Sequence, residues 1–129
     1  MAIESYLNEI RQDLLVNAGN PLVADALVSF TWAWQQLGPD AGARLQQLYI
    51  DQNPFAEGRR EDFDQAADGS FYSDYHGRYH PYFRRLRELQ KHYDIFLIDP
   101  DGNVVYTTVK EPDFGTNLAT GIWREDRKS

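Results

Sequence analysis

A strand–turn–strand segment near the C-terminus constrains the fold of this 129-residue chain more than any other feature. Residues 93–99 (YDIFLID) and 103–110 (NVVYTTVK) are short runs rich in aromatic and β-branched side chains, a composition that favours strands. The intervening Pro-Asp-Gly-Asn of residues 100–103 is a strong turn signal. The sequence therefore predicts an antiparallel β-hairpin over residues 93–110.

The predicted strands are apolar on both faces. In the first strand, Ile95 and Leu97 alternate with Phe96 and Ile98, a pattern typical of strands that are covered on both sides. An isolated hairpin is only marginally stable, and no third strand is evident. We expect either that helices wrap the hairpin closely, or that the missing strands lie beyond Ser129 or in another copy of the chain.

The first 92 residues are predicted to be helical. In the first helix, apolar residues at a 4, 3, 4 spacing form a narrow seam that consists of Ile3, Leu7, Ile10 and Leu14. This seam could pack on the rest of the domain, or it could form a dimerising stalk. Asn20 followed by Pro21 predicts the start of a second helix. Residues 61–67 are compatible with one or two helical turns, and Pro81 must kink a later helix or begin a new one.

These elements predict one α+β domain over residues 1–129. Residues 1–92 form its helical part, 93–110 the hairpin, and 111–129 a loop with a polar tail. Hydrophobic residues make up 42% of the chain and aromatic residues 14%, which is sufficient for a core. The fold class that we expect is therefore helices packed on a β-hairpin.

Composition and motifs exclude several classes of function. A formal net charge of −7 argues against binding to nucleic acids or to anionic membrane surfaces. The absence of cysteine excludes disulfides and zinc–thiolate sites. No nucleophile elbow, phosphate-binding glycine loop or dinucleotide fingerprint is present. We therefore expect neither enzymatic activity nor a cofactor.

Three segments resemble a known family. NPF (53–55), YHGRYHPYFRRLREL (75–89) and YDIFLIDPDGNVVYTTVKEPDFGTNLATG (93–121) are similar to the extracytoplasmic sensor region of bacterial methyl-accepting chemotaxis receptors. Related regions occur in some sensor histidine kinases and cyclases. These sensors are of the Cache type, a PAS-like fold preceded by a long N-terminal helix. The first 50 residues resemble these sensors only in that their predicted helices lead into the sensor region.

The resemblance implies a location and a function. Such regions lie on the periplasmic side of the inner membrane, between two membrane helices that this chain does not contain. They bind a small molecule between the sheet and its covering helices, and binding shifts a helix that leads into the membrane. The family pattern continues with further strands after the TNL-x-x-G segment. We therefore expect the N-terminal part of a sensor, with an incomplete PAS-like antiparallel sheet.

Residues 70–91 are rich in side chains that could contact a ligand. His76 and His80 are four positions apart, a spacing compatible with a metal or haem site, a ligand contact or a structural role. The tyrosines of this region suit either an aromatic ligand wall or a core: Tyr72, Tyr75, Tyr79 and Tyr82. The arginines could bind a ligand carboxylate, or form a solvated face that pairs with Glu88 and Asp94: Arg78, Arg84, Arg85 and Arg87.

The implied binding site lies between the second strand and the helix around Pro81. Tyr106 and Thr108 share one face of that strand, and we expect Lys110 to continue the face at the strand end. Lys110 could instead form a surface ion pair with Glu111. The predicted ligand-binding residues are Tyr79, His80, Tyr82, Arg84, Tyr106, Thr108 and Lys110, with Asp113 at the mouth.

We therefore expect a small-molecule sensing module of a transmembrane receptor. One alternative is a helical dimerisation or interaction module that binds no ligand. Another is a histidine-liganded metal or haem domain. Because the hairpin edges leave backbone groups unpaired and the first helix carries an apolar seam, we also expect a homodimer.

Overall fold

The computed structural model describes residues 20–90 and 94–118. In this part of the chain the fold is α+β, with three α-helices and a two-stranded antiparallel sheet. The predicted α+β class, with helices and an antiparallel hairpin, is therefore confirmed. The seam predicted at residues 3–14 and the polar tail lie outside the described residues.

Helix α1 spans Pro21–Leu37 and begins as the sequence predicts. The Oδ1 atom of Asn20 accepts a hydrogen bond from the backbone N–H of Leu22 at 2.9 Å, and Pro21 occupies the first turn, where its missing donor is harmless. The buried face of α1 repeats every three to four residues and consists of Val23, Ala26, Phe30 and Ala33.

Helix α2 spans Ala41–Gln46 and continues into a π-helical turn over Gln47–Asp51. Together they bury Leu45 and Tyr49. The segment after them is mostly loop: residues 61–67, where one or two helical turns were predicted, contribute only to a 3₁₀ turn at Arg60–Asp62.

Helix α3 spans Phe71–Gln90 and packs against α1. It continues through Pro81, so the alternative in which a new helix starts at this proline is wrong. Its buried residues recur at helical spacing and face the centre of the molecule: Tyr72, Ser73, His76, Tyr79, His80 and Phe83.

Strands β1 (Phe96–Ile98) and β2 (Val104–Thr107) confirm the predicted hairpin, although both are shorter than the predicted runs. Leu97 pairs with Tyr106, and the register shifts between Leu97 and Ile98. Every residue of β2 is buried, whereas the two end residues of β1 are half-buried. The expected covering of both faces is therefore complete for β2.

The chain itself supplies a partner for the second edge of β2. The backbone N–H of Val104 donates to the carbonyl of Thr116 at 2.8 Å, and the N–H of Gly115 donates to the carbonyl of Val104 at 3.1 Å. Asn103 and Asn117 form an isolated antiparallel bridge. The segment that was predicted to be a loop thus pairs with β2 and brings Phe114 into the core.

Candidate functional site

Lys110 lies at the centre of an enclosed polar cluster. Its side chain is 1% exposed, and its Nζ atom lies 4.4 Å from the ring centroid of Tyr106, 5.1 Å from that of Phe114 and 5.7 Å from that of Tyr49. The ammonium group also donates to the carbonyl of Thr107. Aromatic faces attract cations, so we name Lys110, Tyr49, Tyr106 and Phe114 the lysine cage.

A turn, rather than the strand, brings Lys110 to this position. β2 ends at Thr107, whose Oγ1 accepts a hydrogen bond from the N–H of Lys110 at 3.0 Å. Lys110 has a φ of 66°, a left-handed conformation that is unfavourable by about 1–2 kcal/mol for a residue with a Cβ atom. The prediction that Lys110 continues the strand face is therefore wrong, and so is its surface ion pair with Glu111.

His76 and His80 stack on each other beside the cage. Their ring centroids are 4.4 Å apart, and both side chains are fully buried. His80 Nε2 lies 2.6 Å from the carbonyl oxygen of Glu61, and its Nδ1 lies 2.6 Å from the hydroxyl of Tyr106. Because a carbonyl only accepts, Nε2 carries the proton and Nδ1 accepts from Tyr106. This geometry uses both ring nitrogens of His80.

The tautomer of His76 follows in the same way. Its Nδ1 donates to the carbonyl of Asp64 at 2.5 Å, and its Nε2 is buried with no hydrogen-bond partner in the described part of the chain. Burial, reinforced by the charge of Lys110, lowers the pKa of His80 to about 2 and that of His76 well below 6.5. Both imidazoles are therefore neutral. Within residues 20–90 and 94–118, no group of three His, Cys, Asp or Glu side chains could hold a metal ion.

Asp94 supplies a carboxylate to the same region. Its Oδ1 accepts backbone N–H groups from Ile95, Thr108 and Val109 at 2.7, 3.1 and 3.0 Å. Its Oδ2 is buried and has no hydrogen-bond partner among the described residues. Burial raises the pKa of Asp94 to about 7, although the N–H groups of Val109 and Ile95 and the charge of Lys110 act to lower it. Burial also lowers the pKa of Lys110 to about 7, against the charges of Asp94 and Glu61.

Four of the eight predicted site residues meet in this cluster. His80, Tyr106 and Lys110 are in contact as described, and Thr108 Oγ1 lies 3.4 Å from the Tyr106 hydroxyl. Arg84 joins the periphery, because it donates to the Glu61 carbonyl that His80 also contacts.

The other predicted tyrosines lie elsewhere. Tyr79 and Tyr82 contact α1 and the residue before it, through Ser29 at 3.4 Å and Asn20 at 2.6 Å. Asp113 is half-buried in the turn that precedes Phe114. Tyr79 and Tyr82 therefore join α3 to α1.

The arginines of α3 have partners that the sequence analysis did not foresee. Arg84 pairs with Asp64 at 2.8 Å, and Arg87 pairs with Glu61. Glu88 is exposed, and Asp94 instead accepts backbone N–H groups. The predicted pairing with Glu88 and Asp94 is therefore wrong.

Sequence reasoning also missed several members of the cluster. His76 could have been included, because it lies one helical turn before His80 and so shares its face. Asp94 lies just before β1, and Phe114 lies in the turn that follows β2. No pattern in the neighbouring sequence indicates that either side chain points into the core. Tyr49 lies far away in sequence, and only tertiary packing brings it to Lys110.

A groove of about 290 Å³ lies beyond Tyr49 and is lined by Leu48, Gln52, Phe63, Ala66, Ala67 and Asp68. The Tyr49 hydroxyl accepts the N–H of Ala66 at 3.1 Å and donates to Ser73 Oγ at 2.9 Å. Ser73 in turn donates to Asp68 Oδ1 at 2.6 Å. The ring of Tyr49 thus belongs to the lysine cage, while its hydroxyl is bonded to the groove wall.

None of the helices in residues 20–90 and 94–118 is both long and apolar enough to cross a bilayer. No protein-family model, curated protein or solved structure matches this chain.

Proposed function

We propose that this chain is the N-terminal part of an extracytoplasmic small-molecule sensor of the Cache, PAS-like type. Its place is on the periplasmic side of the inner membrane, in a transmembrane signalling receptor such as a chemotaxis receptor, and it is not an enzyme. The resemblance of residues 53–55, 75–89 and 93–121 suggests this role. The observation that carries the proposal is the enclosed ammonium group of Lys110, which lies in the third of these segments.

A buried ammonium group is an unusual feature for a core. Removing a cation from water is unfavourable unless other groups compensate, and strongly perturbed ionisable groups cluster at functional sites. Here the cation is surrounded by three aromatic rings and lies near Asp94, which has an unbonded oxygen. Small-molecule sites share this combination of apolar walls and a few convergent polar groups.

The chemistry favours a ligand with an anionic group. Such a group would pair with Lys110 and favour its charged form, which burial disfavours. Phe114 closes one side of the cage and is carried by the turn at residues 111–116. Binding therefore requires this turn to move, which gives a direct route from an occupied site to a conformational signal.

A thermal-shift screen of the full chain against organic acids, amino acids and amines tests this proposal. A ligand at 100 times its dissociation constant should stabilise the protein by about 2.7 kcal/mol. Lys110→Met should abolish the shift, whereas Arg85→Met, at an exposed position of α3, should retain it. Failure of every organic acid to stabilise the chain, or an unchanged shift in Lys110→Met, would contradict the proposal.

One surface favours the alternative of a dimerisation module. Trp32 of α1 and Phe71 of α3 are 41% and 58% exposed, with ring centroids 5.1 Å apart, and Val28 beside them is 70% exposed. Contiguous exposed apolar groups often mark protein contacts. Under this alternative, Trp32→Glu should convert a dimer to a monomer in sedimentation velocity, whereas Arg78→Glu should not. A monomeric wild-type chain at high concentration would rule it out.

A further inference from the structure

The groove beyond Tyr49 combines apolar walls with a buried carboxylate. Leu48, Phe63 and Ala66 supply apolar surface, and Asp68 lies three residues before the first residue of α3. The volume of about 290 Å³ is at the lower limit of the range for small-molecule sites. Its occupant must therefore be small.

Asp68 has one satisfied oxygen and one unsatisfied oxygen. Oδ1 accepts hydroxyl groups from Ser73 at 2.6 Å and from Ser70 at 3.1 Å. Oδ2 is buried without a hydrogen-bond partner in the described part of the chain, and the whole side chain is 8% exposed. Although burial disfavours the charge, the serine hydrogen bonds lower the pKa of Asp68, so the carboxylate is ionised at neutral pH.

Asp68 Oδ2 forms an ion pair with Arg44 but no hydrogen bond with it. The Arg44 guanidinium lies 3.7 Å from Oδ2, too far for a hydrogen bond, and its side chain is 51% exposed. An ionised oxygen without a donor is an unfavourable arrangement that a bound cation would relieve.

We propose that this groove binds a small organic cation, with its ammonium group on Asp68 Oδ2 and its apolar body against Leu48 and Phe63. A bare metal ion is a poorer occupant, because no group of three metal-ligating side chains exists among residues 20–90 and 94–118. An anion is disfavoured by the carboxylate itself. None of the residues that line the groove belongs to the lysine cage, so the inference does not depend on the proposed receptor function.

Titration of the ¹⁵N-labelled full chain with benzylammonium, followed by amide NMR, tests the inference. Benzylammonium should shift the signals of Ala66 and Ala67 saturably. Benzyl alcohol, which has the same shape without the charge, should bind at least about tenfold more weakly because it lacks a charge-assisted hydrogen bond. Equal affinity for the two compounds, or no saturable shift with benzylammonium, would overturn the proposal.

Three variants and one surface control locate the bound cation. Asp68→Asn should weaken benzylammonium binding about tenfold or more, whereas Asp62→Asn, which removes a carboxylate paired with Arg59 on the surface, should not. Arg44→Gln should strengthen binding, because a competing cation is removed. Ala67→Phe fills the groove from an exposed position and should abolish binding without touching Asp68. Unchanged affinity for benzylammonium in Asp68→Asn and Ala67→Phe would overturn the site. If Asp68→Asn does not fold, Arg44→Gln and Ala67→Phe still decide the question.

Discussion

The Nζ atom of Lys110 lies 4.4 Å from the centroid of the Tyr106 ring, and neither side chain has appreciable contact with solvent. This pairing places a titratable cation inside the core, next to two neutral histidines and a buried carboxylate. The stability of the protein must therefore depend on pH on both sides of neutrality.

Lys110 should make the protein more stable as the pH rises from 7 towards 10. Burial lowers the pKa of Lys110 from 10.5 to about 7, so between these values the unfolded chain binds a proton that the folded chain does not. The free energy of unfolding should rise by at most about 1.4 kcal/mol per pH unit from this group. Urea unfolding at pH 7, 8 and 9 should show the rise in the wild type and in Arg85→Met. Lys110→Met should lack it, and an unchanged slope in that variant would contradict the assignment.

The buried histidines should make the protein less stable in acid. The pKa values of His76 and His80 are lowered by burial, so below pH 6.5 protons bind preferentially to the unfolded chain. Asp94 acts in the opposite direction between pH 7 and 3.8, because its pKa is raised. Because the destabilising effect of the two histidines outweighs the stabilising effect of Asp94, the free energy of unfolding should fall as the pH falls.

His76→Phe should reduce that acid sensitivity. Phenylalanine preserves the stacking on Tyr49, whose ring centroid lies 4.3 Å away, but it cannot bind a proton. Between pH 6 and 4 the loss of unfolding free energy should be smaller than in the wild type by up to about 1.4 kcal/mol per pH unit. Parallel curves for the two proteins would show that His76 does not titrate on unfolding.

Asp94→Ala should destabilise the protein far more than Asp94→Asn. Alanine removes the acceptor of three backbone N–H groups, a loss of about 3 kcal/mol at about 1 kcal/mol each. Asparagine keeps an oxygen at the same position, so we expect less than half of that effect. Chemical denaturation at pH 7 measures both, and equal losses would mean that the charge of Asp94, rather than its hydrogen bonds, stabilises the hairpin.

Two helical glycines should respond differently to replacement by alanine. A Cβ atom on Gly42 would lie 2.0 Å from the carbonyl oxygen of Gly115, so Gly42→Ala should separate α2 from the turn that carries Phe114 and destabilise the protein by about 2–3 kcal/mol. The three atoms nearest to a Cβ atom on Gly77 would all belong to the side chain of Gln65, which can move aside. Gly77→Ala should therefore be neutral or stabilising by up to about 1 kcal/mol, from helix propensity. Thermal melts of the two variants decide the comparison, and a neutral Gly42→Ala would contradict the close approach.

The sequence predicts the local elements well because their signals are local. Asn20 and Pro21 mark a helix start by capping chemistry, and the PDGN turn marks the hairpin. Residues 61–67 could not be predicted, because long-range contacts to their backbone carbonyls fix their conformation: His80 and Arg84 contact that of Glu61, and His76 that of Asp64.

The candidate site could be predicted only in part for the same reason. The spacing of Tyr106 and Thr108 indicates their common location, but Lys110 reaches the cage through a left-handed turn that strand alternation does not describe. Tyr79 and Tyr82 are expected at the ligand because they are polar-tipped residues of the helix around Pro81. They contact α1 instead, and helical periodicity alone does not say which neighbour each face meets.

Tyr49 is shared by two places in the molecule. Its ring faces the ammonium group of Lys110, while its hydroxyl is joined through Ser73 to Asp68 in the groove. A cation in the groove that shifts this ring would alter the proton affinity of Lys110. By thermodynamic reciprocity, protonation of Lys110 would then alter the affinity of the groove for that cation by the same factor. Tyr49 would thus couple cation binding in the proposed groove site to the protonation of Lys110.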